Sequence, residues 1–192
     1  MNGRLIIISA PSGAGKSTLV NFLMDRPELD LEFSVSATTR EPRGSEKNGS
    51  HYHFITVREF RKRIRRGDFI EWEEVYRNQY YGTPREEIER IFRKGKNVLF
   101  DVDVKGGINL KNIFGNKSLS VFIRPPSVEE LEKRLTGRGT DSPEKIKMRL
   151  EKALEEMKLA GLFDYTVVND ILEQAQKEIY TIIKNFIERQ DE

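Results

Sequence analysis

An α/β fold, with a parallel sheet at its centre and helices on its flanks, is what this sequence predicts. Three observations carry that expectation. The run 5–8 is wholly aliphatic, as in a strand buried on both faces of a parallel sheet. It leads into Ala10-Pro11-Ser12-Gly13-Ala14-Gly15-Lys16-Ser17-Thr18, a loop of small residues that opens a helix. Residues 97–103 and 119–123 repeat the buried-strand pattern further along the chain.

The loop carries the first chemistry. Its spacing is close to GxxxxGK[ST], a phosphate-cradling motif between a strand and a helix. Gly13 and Gly15 let backbone N–H groups approach an anion with no Cβ in the way. The helix N-terminus favours the same bound phosphate. Lys16 can reach β- and γ-phosphates, and the Ser17 hydroxyl can ligate Mg²⁺. Ala10 stands where the motif has its first glycine, which is tolerable if its φ is negative. The alternative is a Gly/Ser-rich turn before an ordinary helix.

Composition narrows the rest. The chain has 192 residues, 37% hydrophobic and 33% charged, enough for one soluble domain with room for inserted subdomains. With no cysteine, disulfides, zinc–thiolate sites and cysteine nucleophiles are excluded. The formal charge of +2 does not point to nucleic acid, and no apolar run is long enough for a membrane span. No signal peptide precedes the first strand, so a cytoplasmic location is expected.

The elements follow in order. Residues 17–24 form the first helix, and Pro27 blocks its continuation. Residues 33–36 alternate like a half-buried strand. Arg40 and Arg43 then flank Pro42 close to the hydroxyls of Ser36, Thr38 and Thr39. Guanidinium forks match phosphate oxygens, so this loop can form a dianion site; a solvated basic loop is the alternative. Residues 51–54 read as a short strand whose Tyr52 could offer its hydroxyl to the same phosphate. His51 and His53 share a face there, with no third metal ligand evident.

Thr56 and Glu59 make a capping box for a basic helix with one apolar stripe, Phe60 and Ile64, and Gly67 ends it. Residues 69–72 and 80–83 read as strands, with Ile70 and Trp72 on one face and Glu71 on the other. A carboxylate only accepts, and guanine presents N1–H beside its N2 amine, so a pocket-lining Glu71 would select guanine over adenine. The alternative is a surface strand residue. Thr83, Pro84 and Glu86 suggest N-cap, N1 and N3 of a helix running to Lys94, with Gly95 after it.

Asp101 and Asp103 end the second buried strand, placed to order Mg²⁺ waters or nucleotide groups, or to cap a helix. Ser127 and Glu130 box a helix with Arg134 that runs into Gly137-Arg138-Gly139. A second helix opens at Ser142-Pro143 and carries Arg149. That is the composition of a positively charged lid, against ordinary surface arginines. Residues 165–168 form a fourth core strand. Asp170 is expected to cap a last helix with Ile179, Ile183 and Ile187 in the core.

The segments SAPSGAGKST, VSATTREPRGSEKNGSHYHF, IEW, YYGTP, DVDVKGG and RLTGRGTDS together resemble guanylate kinases, in family order and over nearly the whole chain. The resemblance implies a P-loop NTPase-type core at 1–33, 92–126 and 165–192. It implies an inserted GMP-binding subdomain of mixed sheet and helix at 34–91, and a helical lid at 127–164. It implies reversible, in-line transfer of the ATP γ-phosphoryl group to GMP, with no covalent intermediate.

The implied residue roles follow. Ala10 to Thr18, by way of Pro11, Ser12, Gly13, Ala14, Gly15, Lys16 and Ser17, would hold ATP phosphates. Ser36, Arg40, Arg43, Tyr52 and Tyr81 would hold the GMP phosphate. Glu71 and Thr83 would read guanine, with Asp101 and Asp103 near the nucleotide. Lys16, Arg134, Arg138 and Arg149 would act on the transferring group. Mg²⁺ would meet Ser17, with Asp101 reaching it through water. ATP and GMP, and with them dGMP, are the implied partners; nucleic acid and membrane are not, and the choice of monomer or homo-oligomer stays open. The rival is a non-catalytic guanylate kinase-like module that binds phosphopeptides, against which stand Lys16, Ser17 and the lid arginines.

Overall fold

The computed structural model describes residues 3–137 and 142–189. The first half of the chain runs β1 (Leu5–Ser9), α1 (Lys16–Met24), β2 (Leu31–Phe33), β3 (Ala37–Thr38), β4 (His53–Phe54), α2 (Val57–Arg66), β5 (Phe69–Tyr76) and β6 (Gln79–Pro84). The second half runs α3 (Arg85–Arg93), β7 (Asn97–Val102), α4 (Val104–Phe114), β8 (Ser118–Arg124), α5 (Val128–Thr136), α6 (Pro143–Lys158), β9 (Tyr165–Val168) and α7 (Leu172–Glu188).

β1 is central because every one of its residues can be buried. It pairs in parallel with β7 on one side and β8 on the other, within the order β2-β7-β1-β8-β9. Alternate side chains leave the sheet on opposite faces. Ile6 and Ile8 meet Leu19 and Leu23 of α1 and Ile179 and Ile183 of α7. Leu5 and Ile7 meet Ile88 and Ile91 of α3 and Leu110 of α4. All carboxyl ends in this sheet therefore point to one edge, where the loop after β1 and the end of β7 lie side by side.

A second, mixed sheet has the order β4-β3-β6-β5. β5 and β6 form a hairpin, β3 runs antiparallel to β6, and β4 runs parallel to β3. Its own core is small: Ala37, Phe60, Phe69 and Tyr80, with the Phe60 and Phe69 rings stacked at 4.4 Å.

The single strand expected at 33–36 is divided between these sheets. Phe33 ends β2 and Ala37 begins β3. The three residues between cross from one sheet to the other, and each has a backbone group satisfied by a different element. Ser34 N donates to Leu99 O (2.9 Å), Val35 N to Glu87 Oε2 (2.9 Å), and Ser36 O accepts from His53 N (2.9 Å). A period-two pattern does not reveal that its partners change halfway.

Two caps also differ from expectation. Thr83 lies inside β6 and Pro84 is the N-cap of α3, because the Thr83 hydroxyl is engaged with Glu71 instead. Ile171, not Asp170, precedes α7, with no side-chain cap bond. Thr56, Ser127 and Ser142 do cap α2, α5 and α6, accepting from Glu59 N, Glu130 N and Lys145 N respectively.

α4 packs closely on β1 at Gly107. A Cβ there would stand 2.3 Å from Ser9 Oγ and 3.1 Å from Phe163 Cε1. Gly107→Ala is expected to destabilise the fold by about 1–3 kcal/mol through overpacking, read from the urea midpoint.

Candidate active site

One end of the site is built by the turn between β1 and α1. Gly13 (φ +96°) and Gly15 (φ +90°) hold left-handed conformations that a side chain would strain. Gly13 has a second constraint, since a Cβ would come 2.8 Å from Leu131 Cδ1 and 3.0 Å from Leu135 Cδ2 of α5. Ala10 is not at positive φ, the only such non-glycines among the described residues being Asp30 and Asn78. Its methyl is buried, so the departure from the motif is accommodated as a packing group.

Gly15 is the N-cap of α1, so Lys16 starts the helix and its side chain turns back over the end of β7. Nζ donates to Val102 O (3.2 Å) and pairs with the Asp101 carboxylate. Burial lowers the Lys16 pKa to about 8, against the opposing pull of Asp103 and Glu156. At neutral pH the group is still mainly an ammonium. Ser17 is exposed in the first turn of α1. From α6, Arg149 donates to Ser12 Oγ in the loop itself. Arg134 donates through Nη1 to Asn169 O (3.0 Å) and through Nε to Glu130 Oε1 (3.0 Å). Arg138 lies outside the described residues.

The other end is built on the second sheet. Along β5 the usual burial is inverted: Glu71 is 8% exposed, while neighbouring Trp72 is 42% exposed. The strand turns its acid inward and its indole outward. Glu71 Oε1 accepts from Thr83 Oγ1 (2.6 Å) on the paired strand β6. Burial pushes the Glu71 carboxyl up to about 7, with the charges of Asp103 and Glu73 adding to it and the Thr83 hydrogen bond opposing it. A buried carboxyl with so few donors lacks partners for its charged form.

Arg40, Tyr52 and Tyr81 meet further along this sheet, with Tyr81 two residues before Thr83 on β6. Arg40 Nε donates to Tyr81 Oη (3.1 Å), and its guanidinium lies 4.9 Å from the Tyr52 ring centre. The Tyr52 and Tyr81 rings are 5.9 Å apart, edge to face. Ser36 is buried at the entry to β3. Arg43 follows on the same loop with its side chain exposed. Glu46 joins this group without having been singled out by the sequence. Its carboxylate forks onto Arg40 Nη1 and Nη2 (2.6 and 2.8 Å) and accepts from Arg43 N (2.7 Å). Those bonds hold the Glu46 carboxyl down at about 2. An acid spaced three to six residues from two arginines is a common surface pattern, so spacing alone does not reveal the fork.

The two ends are joined through the carboxyl end of β7. Asp101 pairs with Lys16, beside the loop after β1. Asp103 caps α4, accepting from Gly106 N (2.8 Å). A Cβ on Gly106 would sit 3.0 Å from Glu71 Oε2 and 3.5 Å from Asp103 Oδ1. The absent side chain is what lets the two carboxylates share one space. The Gly106-Gly107 pair was the available signal for such close approach. His51 and His53 take other roles, accepting from Lys47 N (3.1 Å) and facing Glu87 at 4.0 Å.

Comparison with known proteins gives the family. The family model described as "Guanylate kinase" matches residues 2–186. A guanylate kinase of Bacteroides thetaiotaomicron is 53% identical over 190 residues, covering 99% of this chain and 93% of its own. One from Porphyromonas gingivalis is 53% identical over 184 residues, covering 96% and 98%. The crystal structure of guanylate kinase from Anaplasma phagocytophilum superposes with a TM-score of 0.77 at 29% identity, covering 98% of this chain and 88% of that one. The match over residues 2–186 and these relatives show that the chain belongs to the guanylate kinase family.

Proposed function

We infer that this protein is an ATP:GMP phosphotransferase, carrying the γ-phosphoryl group of ATP to GMP and giving ADP and GDP. One observation supports it above the others. A buried, under-partnered Glu71 carboxylate beside Thr83 is connected through the end of β7 to a loop-bound lysine. The first group suits guanine N1–H and N2–H₂, and the second suits a triphosphate.

The mechanism asks little covalent chemistry of the protein. The GMP phosphate oxygen is already anionic, so no general base is required. Catalysis is alignment plus neutralisation of charge on the transferring group. Arg40, Arg43, Tyr52, Tyr81 and Ser36 hold the acceptor phosphate, and Glu71 and Thr83 orient the base. Lys16 and the amides of residues 10–18 hold the donor phosphates, with Arg134, Arg138 and Arg149 supplying positive charge from the lid. Residues 34–91 act as the GMP-binding unit, 127–164 as the lid, and the remainder as the core. Water at ~55 M competes as a nucleophile, so the lid excludes it before transfer.

The exposed Ser17 hydroxyl and the Asp101 carboxylate are hard oxygen donors beside the loop, a set that suits Mg²⁺. The ion, brought with ATP, would neutralise and orient the triphosphate. Asp103 stands further toward the guanine end. A coupled ADP-release assay across AMP, GMP, dGMP, UMP and CMP tests the assignment. GMP is expected to be the preferred acceptor, with dGMP accepted as well. Comparable turnover with AMP or a pyrimidine monophosphate would overturn the guanine reading.

A further inference from the structure

We propose that Asn169 is a positioning residue for the phosphoryl donor: its carboxamide holds the phosphate loop in its anion-binding shape and ties that loop to Arg134. The proposal rests on the reading of residues 10–18 as the ATP phosphate site.

Asn169 follows β9, at the same sheet edge as the loop, and is 6% exposed. Its own backbone is fixed to the sheet, with N donating to Arg124 O (2.9 Å). From that anchored position Nδ2 donates to Ala14 O at 2.8 Å, a buried bond spanning 155 residues of sequence. The Asn169 carbonyl accepts from Arg134 Nη1 at 3.0 Å. One residue thus touches the loop with its side chain and the lid arginine with its backbone.

The choice of Ala14 O is what matters. A trans peptide unit is planar, with its C=O and N–H pointing opposite ways. Pinning the Ala14 carbonyl on one side directs the Gly15 N–H to the other. That N–H belongs to the glycine before Lys16, where an anion is cradled. Gly15 forms one side of this peptide, and its positive φ with no Cβ leaves the unit little local steric restraint on that side. A carboxamide behind the loop supplies the restraint that glycines cannot. The fit is close: a Cβ on Gly15 would lie 2.2 Å from Asn169 Nδ2.

The rival role is purely structural, a tie between β9 and the rest of the domain. Asn169→Asp separates the two, because it keeps the shape and replaces the donor with an acceptor facing the Ala14 carbonyl. Asn169→Ala removes the restraint without adding repulsion and serves if the acid fails to fold. Full-length variants would be compared by steady-state kinetics, MgATP and GMP calorimetry and thermal unfolding, beside Lys16→Ala. In Asn169→Asp, KM for MgATP is expected to rise about tenfold or more, with lower kcat, while GMP affinity stays within about twofold. Asn169→Ala is expected to show a smaller change of the same kind. Parallel loss of both substrates with a large fall in melting temperature would overturn the proposal in favour of the structural tie. Normal MgATP constants in folded Asn169 variants, beside a damaged Lys16→Ala, would overturn it alone. Normal MgATP affinity in Lys16→Ala would instead remove the loop from the donor site, and the proposal with it.

Discussion

Lys16→Ala is expected to lower kcat by about 10³-fold or more, while GMP affinity changes by less than about twofold. The lysine ammonium is the charge already delivered to the loop, held over the end of β7 by Val102 O and Asp101. Its partners are rigid strand groups, so it needs little reorganisation when phosphate charge develops. The proposed GMP site lies on a different sheet, which is why the loss should be confined to turnover and the donor. The depressed pKa adds a pH signature. Burial holds Lys16 at about 8 in the free protein, so above that pH the ammonium is progressively lost. kcat/KM for MgATP should therefore fall above about pH 8, a limb that belongs to the free enzyme. A bound triphosphate favours the charged form, so kcat itself should hold to higher pH. Near-normal turnover in Lys16→Ala would end the donor-site assignment.

Glu71→Gln is expected to raise KM for GMP by about 10²-fold, with KM for MgATP unchanged. Gln sets an amide donor against one of guanine's two donors, leaving a buried mismatch. The parent enzyme should also titrate. Its Glu71 must be a carboxylate to accept from both guanine groups, and burial holds the carboxyl near 7. kcat/KM for GMP should then fall about tenfold per unit well below pH 7, a limb the Gln variant should lack. The same substitution should stabilise the free protein. The folded pKa of about 7 lies above the ordinary 4.5, so the folded state binds the proton more tightly than the unfolded state. Ionisation therefore opposes folding, not at all below about pH 4.5 and fully above pH 7. Removing that ionisation should gain about 1–3 kcal/mol at pH 8 and nothing at pH 4, by denaturant titration. Unchanged discrimination between GMP and AMP in the variant would remove Glu71 from the specificity role.

Much of this molecule could be read in advance because its signals are local. The aliphatic run before the loop, the glycines around Lys16, and the caps at Thr56, Ser127 and Ser142 each depend on a few neighbouring residues. Glu71 was legible for a different reason: a carboxylate flanked by Ile70 and Trp72 in a strand asks which face is inward. What stayed hidden is non-local. Thr83 has the right neighbours for an N-cap, yet its hydroxyl goes to a strand twelve residues away. The change of sheet between Phe33 and Ala37 depends on Leu99, Glu87 and His53, none of them near in sequence. Glu46 becomes informative only once Arg40 is seen inside its fork. Asn169 carries no motif at all, and only its position at the carboxyl edge of the parallel sheet hints at a role near a ligand.

The contact between Gly13 and the leucines of α5 has a practical consequence for anyone recombining these enzymes. A nucleotide loop is usually treated as a portable cassette, yet here its bend is also the bearing on which a neighbouring helix rests. Grafting the cassette without Leu131 and Leu135, or exchanging that helix without its glycine seat, would leave a void or a collision beneath the loop. Chimaeras are better cut so that both halves of the bearing travel together.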